Sequence, residues 1–312
     1  MNDSNNTNIK YFISKEAQRI LKSGDRNAIR SMRVSVFRST VAIVRSDGYD
    51  VDGHKIAFSK REEKRMIDNT VFYEKPFDVN DVPILDEPTQ MDVVNEDCLV
   101  AAKNLQDKDY NVAVLNMASR RNPGGGVYGG AGAQEENLFR RSNLFVSMFQ
   151  FAPYAEDYGL KKSAHQYPLD KNWGGVYTPN AIVFRGTEAD GYPLLKQPYR
   201  MSFIAVPAMN RPELDADGMI IRPFIEPFKN KMRTLFRIGL QHGHDALVLG
   251  AWGCGAFRCP PKHVARLFHE VLEEKEFKNK YRQITFAIIE DHNSRLSHNR
   301  EGNLKPFQDE FV

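Results

Sequence analysis

The chain has 312 residues, of which 41% are hydrophobic, and a formal net charge of +3. That length and apolar content allow one full core with an accessory segment, or two modest domains, and we expect one dominant domain. The weak positive charge suits an anionic ligand, but it excludes the dense basic surface of a dedicated nucleic-acid-binding protein.

The cysteines and the N-terminal sequence indicate the cellular compartment. Cys98, Cys254 and Cys259 form no CxxC pair and have no histidine at zinc-finger spacing, which favours a reducing compartment and argues against structural zinc. The N-terminus MNDSNNTNIKYF lacks the apolar stretch of a signal peptide, and no run approaches the ~20 apolar residues that span a bilayer. We therefore expect a cytoplasmic protein without a membrane partner.

The first part of the chain is predicted to be mainly helical. From Ile13 onwards, apolar residues recur at helical spacing among Arg and Lys over 12–45, which predicts two amphipathic helices whose apolar stripes dock on the core. SDGYDVDGHKI predicts a turn or hairpin, and 74–90, with three prolines and five acids, predicts a linker. We divide the chain into a helical accessory region, 1–88, and a main domain, 89–312.

Short apolar and β-branched runs in the main domain predict strands. They occupy residues 91–95, 111–117, 181–184, 201–207, 245–251 and 283–289. Helical patterns lie between them at 134–150, 223–241 and 261–277, the last opening on Pro261. Apolar strands alternating with helices predict an α/β protein with a three-layer α/β/α sandwich, whose ligands bind at the carboxyl ends of the strands.

Two glycine-rich loops follow predicted strands. NPGGGVYGGAG (122–132) carries six glycines, and GAWGCGAF (250–257) follows the strand at 245–251. Backbone N–H groups in such turns, next to helix N-termini, form nests for phosphate oxygens, so the pair suggests a diphosphate held between them. A Rossmann fingerprint fits poorly because the acids stand at the helix start, and a Walker loop is excluded because Gly-Lys-Ser/Thr is absent.

The first loop carries a family resemblance. Gly124, Gly125 and Gly126 are followed after seven residues by Gln134-Glu135-Glu136, which resembles the GGG and QEE signature of poly(ADP-ribose) glycohydrolases. VLNMASRRNPGGG and GAWGCGAFRCPP resemble the shorter bacterial-type members, and the likeness runs from about residue 91 to about residue 292, ending with FAIIEDH. It implies a macrodomain-like sandwich with a mixed central sheet, preceded by a helical extension.

The resemblance also implies roles for residues. Glu136 would protonate the leaving ribose oxygen, and Glu135 would hold the distal ribose hydroxyls. Asp97 would accept the adenine amino group, and Asn122, with Ser119 as its competitor, would contact a ribose. The other implied ligand contacts lie in or beside the two loops: Gly124, Gly125, Gly126, Gln134, Gly253, Cys254, Gly255, Ala256 and Phe257, the last beside the terminal ribose.

Structural interpretations of these residues stay open. Gln134-Glu135-Glu136 is also typical of an acidic first turn that complements the helix dipole. The glycines before it are also typical of a flexible turn. Phe257 is alternatively explained as a core aromatic, and Asp97 as a solvent-facing or helix-capping residue.

Four other residues are expected to be structural. We expect Cys259 to be a small buried thiol and Trp252 to shape its loop. His242 and His244 are expected to close a helix rather than bind a metal.

The chemistry fits the implied activity. Breaking a ribosyl C1–O bond passes through an oxocarbenium-like transition state, so the leaving oxygen needs an acid that stays protonated near neutral pH. Two adjacent carboxylates in a desolvated cleft raise one another's pKa, whereas a helix N-terminus opposes that shift. We expect the ligand's pyrophosphate to complete it.

Two classes of function remain. The first is an enzyme that hydrolyses poly(ADP-ribose), without metal or cofactor, and releases ADP-ribose. The same chemistry would also serve mono-ADP-ribosylated protein or nucleic acid, the latter only as a modified substrate. The second is a binding module that recognises ADP-ribose and cleaves nothing. The QEE run favours the enzyme, because a binding module does not need it.

Overall fold

A computed structural model describes residues 14–290 and 294–312 of the chain. The described helices are α1 (Ser14–Ser23), α2 (Arg26–Arg45), α3 (Lys60–Asp68), α4 (Cys98–Gln106), α5 (Gln134–Arg141), α6 (Leu144–Met148), α7 (Arg222–Gln241), α8 (Pro261–Leu272) and α9 (Leu304–Phe311). The described strands are β1 (Gly48–Val51), β2 (His54–Ala57), β3 (Val71–Tyr73), β4 (Gln90–Val94), β5 (Val112–Met117), β6 (Gly175–Arg185), β7 (Leu194–Val206), β8 (Ala246–Leu249) and β9 (Gln283–Ala287).

A seven-stranded mixed sheet forms the centre of the molecule. Its strand order is β3-β6-β7-β5-β8-β9-β4. The strands from β7 to β4 pair in parallel, whereas β6 pairs antiparallel with both β7 and β3. Since β5 and β8 are parallel neighbours, the two glycine-rich loops that follow them emerge at the same sheet edge. The predicted mixed sheet is confirmed.

Helices cover both faces of the sheet. Along β5, Val112 and Val114 face a core shared with α2, α4, α5 and α6, whereas Ala113 and Leu115 face a core shared with α7 and α8. Alternate side chains of a strand point to opposite faces, so an apolar strand is buried on both sides only inside such a sandwich. The predicted three-layer α/β/α architecture is confirmed.

The helix predicted over 134–150 is interrupted. It ends at Arg141 and resumes at Leu144, because Ser142 is extended and bridges Val183 of β6. Asn143 completes this link, donating its N–H to the Ile182 carbonyl at 3.1 Å and accepting the Ile182 N–H through Oδ1 at 2.7 Å. Strand pairing thus overrides helical propensity at two residues.

The other predicted elements are found with shifted ends. The six predicted strands and the hairpin are confirmed, and β6 and β7 extend beyond their apolar centres. The helix predicted over 261–277 ends at Leu272, while α3, β3, α4 and α9 were not predicted. Residues 74–89 form neither helix nor strand, as expected of the linker. Ile13, the polar N-terminus, and Asp291 and His292 of FAIIEDH lie outside the described residues.

The N-terminal region packs closely on the main domain. β3 pairs with β6 at the sheet edge, and Phe37 of α2 makes edge-on contacts with Phe145 and Phe149. The buried Arg185 guanidinium of β6 donates to the hydroxyl groups of Ser39 and Thr40 on α2 at 2.8 and 3.1 Å. The domain division at residue 88 stays a prediction.

Within residues 14–290 and 294–312, no helix combines the length and the apolar content that a bilayer crossing requires.

Phe37 gives a test of whether α2 belongs to the cooperative unit. Its side chain is 3% exposed, so Phe37→Ala should lower the free energy of unfolding by about 3–5 kcal/mol, measured in urea. The neighbouring Arg38 is exposed, and Arg38→Ala should change that free energy by less than about 0.5 kcal/mol. Equal, small effects of both substitutions would show that α2 unfolds separately.

Candidate active site

Two adjacent buried carboxylates stand at the start of α5. Gln134 is the first residue of this helix, and Glu135 and Glu136 follow in its first turn, 3% and 7% exposed. The helix begins at the edge where β5 ends, because the glycine-rich loop joins the two elements. Two neighbouring buried carboxylates are costly unless hydrogen bonds or a ligand stabilise them, so this position is a functional-site candidate.

Backbone N–H groups of the loop bind these carboxylates. Gly124 donates to Glu135 Oε1 at 3.0 Å, and Ser119 donates to Glu135 Oε2 at 2.7 Å. Gly126 donates to Glu136 Oε1 at 2.8 Å. The glycines therefore lie against the carboxylates themselves, an arrangement that larger side chains would obstruct.

Gly125 is the point of closest approach. Its φ is +54°, and a Cβ at this position would lie 2.5 Å from Glu136 Oε1 and 2.9 Å from Glu135 Oε2. A side chain would thus collide with both carboxylates and would also strain the backbone. Its N–H donates to the Asn122 carbonyl at 3.2 Å, so the N–H groups of Gly124 to Gly126 all have acceptors, two of them the carboxylates of α5.

The two carboxylates differ in their surroundings. Burial, and then the charge of Glu136, raise the pKa of Glu135 well above its ordinary value, and the N–H groups of Ser119 and Gly124 oppose that shift. Glu136 has only one bound oxygen: Oε2 is buried and has no hydrogen-bond partner among the described residues. One carboxylate is held on both oxygens, and the other keeps an oxygen free for a ligand.

Asn116 and Tyr167 are site residues that the sequence analysis missed. Asn116 is fully buried near Glu135, whose pKa it lowers, yet neither polar atom of its amide has a hydrogen-bond partner of normal geometry in the described chain. The Tyr167 hydroxyl is also buried and unpartnered among those residues, and burial and the charge of Glu135 raise its pKa. Buried polar atoms are nearly always paired, so two such groups beside one carboxylate pair mark a place for a ligand or water.

Gln134 links the helix to the sheet. Its Oε1 accepts the Met117 N–H at 2.9 Å, and its Nε2 donates to the Leu115 carbonyl at 2.6 Å. Both ends of the amide are thus bound to the last residues of β5, which fixes where α5 begins. Its predicted contact with a ligand stays a prediction.

Asp97 caps α4 and neutralises a buried arginine. Its Oδ1 accepts the N–H groups of Leu99 and Val100 at 3.0 and 3.2 Å, and its Oδ2 lies 2.7 Å from Arg141 Nη1. The capping interpretation is confirmed. The adenine contact that the resemblance implies stays a prediction.

Asn122 and Ser119 lie in the turn before the glycines. Asn122 is exposed, and its N–H and that of Arg121 donate to Ser119 Oγ at 3.3 and 3.2 Å. The Ser119 hydroxyl thus stabilises the turn, while its N–H binds Glu135. A ribose contact for either residue stays a prediction.

The second glycine-rich loop offers open backbone donors. Within the part of the chain that the structure describes, the N–H groups of Gly255, Ala256 and Phe257 have no hydrogen-bond acceptor. Unpaired consecutive N–H groups beside a sheet edge are suited to phosphate oxygens. The nest predicted for both loops is therefore open at the second loop, whereas in the first loop the N–H groups of Gly124 and Gly126 are bound to the carboxylates of α5.

Buried side chains of the second glycine-rich loop anchor it to the core. Trp252 is fully buried and donates Nε1–H to the Val206 carbonyl at 3.0 Å, and Cys254 and Cys259 are buried thiols. Phe257 is partly buried and packs against the α7 and α8 core. The interpretations of Trp252 and Cys259 are confirmed, while the contacts of Gly253, Cys254 and Phe257 with a ligand stay predictions.

His242 and His244 close α7, as predicted, before β8 begins. The His242 ring stacks on Tyr177 at 3.5 Å, and His244 Nε2 lies 2.9 Å from the Tyr177 hydroxyl. Burial lowers the pKa of His242 to about 4. Among the described residues, no group of His, Cys, Asp and Glu side chains is arranged to hold a metal ion.

The comparisons with known proteins agree with this fold. Residues 37–186 match the family model of the microbial-type PARG catalytic domain, a span that crosses the division predicted at residue 88. No sequence match was found among curated proteins.

Solved structures of poly(ADP-ribose) glycohydrolases resemble this chain over most of its length. The enzyme from Thermomonospora curvata is 26% identical with a TM-score of 0.71, covering 89% of this chain and 99% of its own. The enzyme from Deinococcus radiodurans, in complex with ADP-ribose, is 30% identical with a TM-score of 0.58, covering 80% of this chain and 96% of its own.

The mixed sheet between two helical layers, with a carboxylate pair at a strand-end loop, defines a macrodomain-like α/β protein. Within that class, the chain belongs to the bacterial-type poly(ADP-ribose) glycohydrolase family.

The raised pKa of Glu135 predicts a pH-dependent stability. A group whose pKa is higher in the folded than in the unfolded state stabilises the fold below its unfolded value, and that contribution is lost as the pH rises through the folded value. Glu135→Gln removes the titration. The Tm of the variant relative to wild type should therefore rise from about pH 5 to about pH 9.

The exposed Glu156 is the control for this experiment. Glu156→Gln should give a Tm difference that stays flat across the same range. A flat difference for Glu135→Gln as well would contradict the raised pKa.

Proposed function

We propose that this protein hydrolyses the ribose–ribose O-glycosidic bonds of poly(ADP-ribose) and releases ADP-ribose. Support comes from the family match and from the related enzymes, one solved with ADP-ribose and one with the inhibitor ADP-HPD. The observation that carries the proposal is the buried, unpartnered Oε2 of Glu136 beside a second buried carboxylate.

Glu136 is the general acid of the proposed reaction. One of its oxygens is fixed by the Gly126 N–H, so the carboxyl group has a set orientation, and Oε2 is free to give a proton to the leaving ribose oxygen. Departure of that oxygen leaves an oxocarbenium-like ribosyl group, which the nearby negative charge stabilises. The same carboxylate then takes a proton from the attacking water.

Glu135 orients the distal ribose. Both its oxygens already accept backbone N–H groups, and each retains a lone pair for a sugar hydroxyl. The unpartnered amide of Asn116 lies next to it and completes a polar surface for the ribose or the water.

The diphosphate binds against the second loop in this proposal. The open N–H groups of Gly255, Ala256 and Phe257 are the donors, and the Phe257 ring packs beside the terminal ribose. In the first loop, Gly124 to Gly126 act mainly on the carboxylates and leave space for the ligand. Asp97 contacts adenine and Asn122 contacts a ribose.

The protein acts in the cytoplasm on ADP-ribose polymers or ADP-ribosylated macromolecules, with nucleic acid only as a modified substrate. The free thiols of Cys98, Cys254 and Cys259 support a reducing compartment. The proposal needs neither metal nor cofactor, since the carboxylates supply the acid.

Glu136→Gln tests the proposed acid. The amide cannot donate the proton. Release of ADP-ribose from a poly(ADP-ribose) polymerase that carries its own polymer chains should therefore fall at least about 100-fold, while ADP-ribose still binds. Glu156→Gln, at an exposed glutamate, should release ADP-ribose like wild type.

Two results would contradict this proposal. Full release by Glu136→Gln would remove Glu136 from the chemistry. A wild-type protein that binds ADP-ribose but releases none, from polymer or from mono-ADP-ribosylated protein and nucleic acid, would be a binding module.

Gly125 and Gly129 form a matched pair within one loop. Gly125→Ala places a methyl group against both carboxylates, so activity should fall about 100-fold through their displacement. At Gly129, the nearest atom to a new Cβ is Arg30 Nη2 at 3.6 Å, so Gly129→Ala should stay close to wild type. Similar rates for both variants would contradict the loop's role in placing the carboxylates.

A further inference from the structure

A histidine outside both loops contacts the second glycine-rich loop. His298 Nε2 lies 2.7 Å from the Cys254 carbonyl oxygen. A carbonyl only accepts, so Nε2 carries the hydrogen and donates it. The other ring nitrogen, Nδ1, is buried and has no partner among the described residues, so the contact with Cys254 is the hydrogen bond that this ring makes there.

The segment that carries His298 is held at its end by Glu290. Glu290 follows β9, and its Oε1 accepts the N–H groups of Asn303 and Leu304, at 2.6 and 2.7 Å, where α9 begins. One carboxylate thereby ties the end of the sheet to the start of the last helix.

Buried asparagines order the turn itself. Asn299 accepts the Leu296 N–H through Oδ1 at 2.7 Å and donates through Nδ2 to Asn303 Oδ1 at 2.7 Å. Both asparagines are less than one-tenth exposed. These buried hydrogen bonds therefore fix the backbone on either side of His298.

Peptide geometry connects this contact to the ligand site. In a planar trans peptide unit the C=O and the following N–H point in opposite directions. The Cys254 carbonyl shares its peptide unit with the Gly255 N–H. Holding the carbonyl on the His298 side therefore directs the Gly255 N–H away from it, and this N–H and those of Ala256 and Phe257 have no acceptor in the described chain.

We infer that His298 is a positioning residue for the diphosphate: it holds the Cys254–Gly255 peptide so that the Gly255 N–H faces the phosphate oxygens. The inference rests on the proposed function, because it assumes that ADP-ribose occupies this site. His298 does not touch the substrate and acts through the peptide. A free peptide would rotate, and its carbonyl oxygen would then face the phosphate.

Three variants test this inference in the full-length protein. His298→Leu removes the donor, His298→Gln places an amide donor the same number of bonds from Cα, and His54→Leu is the control at an exposed histidine of β2. ADP-ribose affinity is measured by titration calorimetry, and KM and kcat by release from polymer.

Removing the His298 donor should weaken the binding of the diphosphate in the ground state, so it should change affinity rather than the rate of the chemical step. We expect His298→Leu to raise the Kd for ADP-ribose and the KM about five- to tenfold, with kcat changed less than about twofold. His298→Gln should return both constants to within about twofold of wild type, and His54→Leu should equal wild type. Wild-type affinity in His298→Leu, or no recovery in His298→Gln, would overturn the inference.

The wild-type protein gives a second measurement if His298→Leu fails to fold. Amide hydrogen exchange of Gly255, Ala256 and Phe257 should slow when ADP-ribose is added, and unchanged exchange would overturn the inference. Failure of the proposed function is distinct: wild type would then bind ADP-ribose without releasing it from polymer, while the Kd comparison would still decide the role of His298.

Discussion

Two buried carboxylates held by the backbone of a glycine loop are the constraint on which the site depends. Glu135 and Glu136 are covered by Ser119, Gly124, Gly125 and Gly126, three of which donate N–H groups to them. Fixed dipoles aimed at a charged group need no reorganisation during a reaction, which is why such sites suit catalysis. The same burial raises the pKa of Glu135 and leaves one oxygen of Glu136 without a hydrogen-bond partner among the described residues.

The N-terminal helices contribute to this constraint. Gly130 has a φ of +70°, and a Cβ there would lie 2.2 Å from the Arg30 carbonyl of α2. Arg30 Nε also donates to the Gly129 carbonyl at 3.1 Å. The loop that binds the carboxylates thus packs between α2 and α5. The N-terminal region, which was predicted to be accessory, therefore contacts the candidate site directly.

Periodicity and composition predicted most of the fold. The apolar runs located the six main strands, because a strand covered on both faces needs an unbroken apolar sequence, as in Ala246–Leu249. The break at Ser142 was not predictable, since the competing partner, Val183, is distant in the chain. The short strand β3 was missed for the same reason: its three residues become a strand through pairing with β6.

The part of the candidate site whose residues are close together in the sequence was predicted. The glycines and Glu135-Glu136 lie in one stretch, so their association needed no tertiary information. Asn116 had a weak signal, as a polar residue inside an apolar strand. Tyr167 comes near Glu135, and His298 contacts the second loop, only through tertiary packing, so neither had a sequence signal. The split between the loops, one using its N–H groups on carboxylates and one keeping them open, depends on hydrogen-bond directions that residue types do not encode.

The most direct measurement is a crystal structure of the protein with ADP-ribose. The account predicts the terminal ribose within hydrogen-bond distance of Glu136 Oε2 and the diphosphate against the N–H groups of Gly255, Ala256 and Phe257. A ligand bound elsewhere, or a ribose that leaves Glu136 Oε2 without a contact, would contradict it.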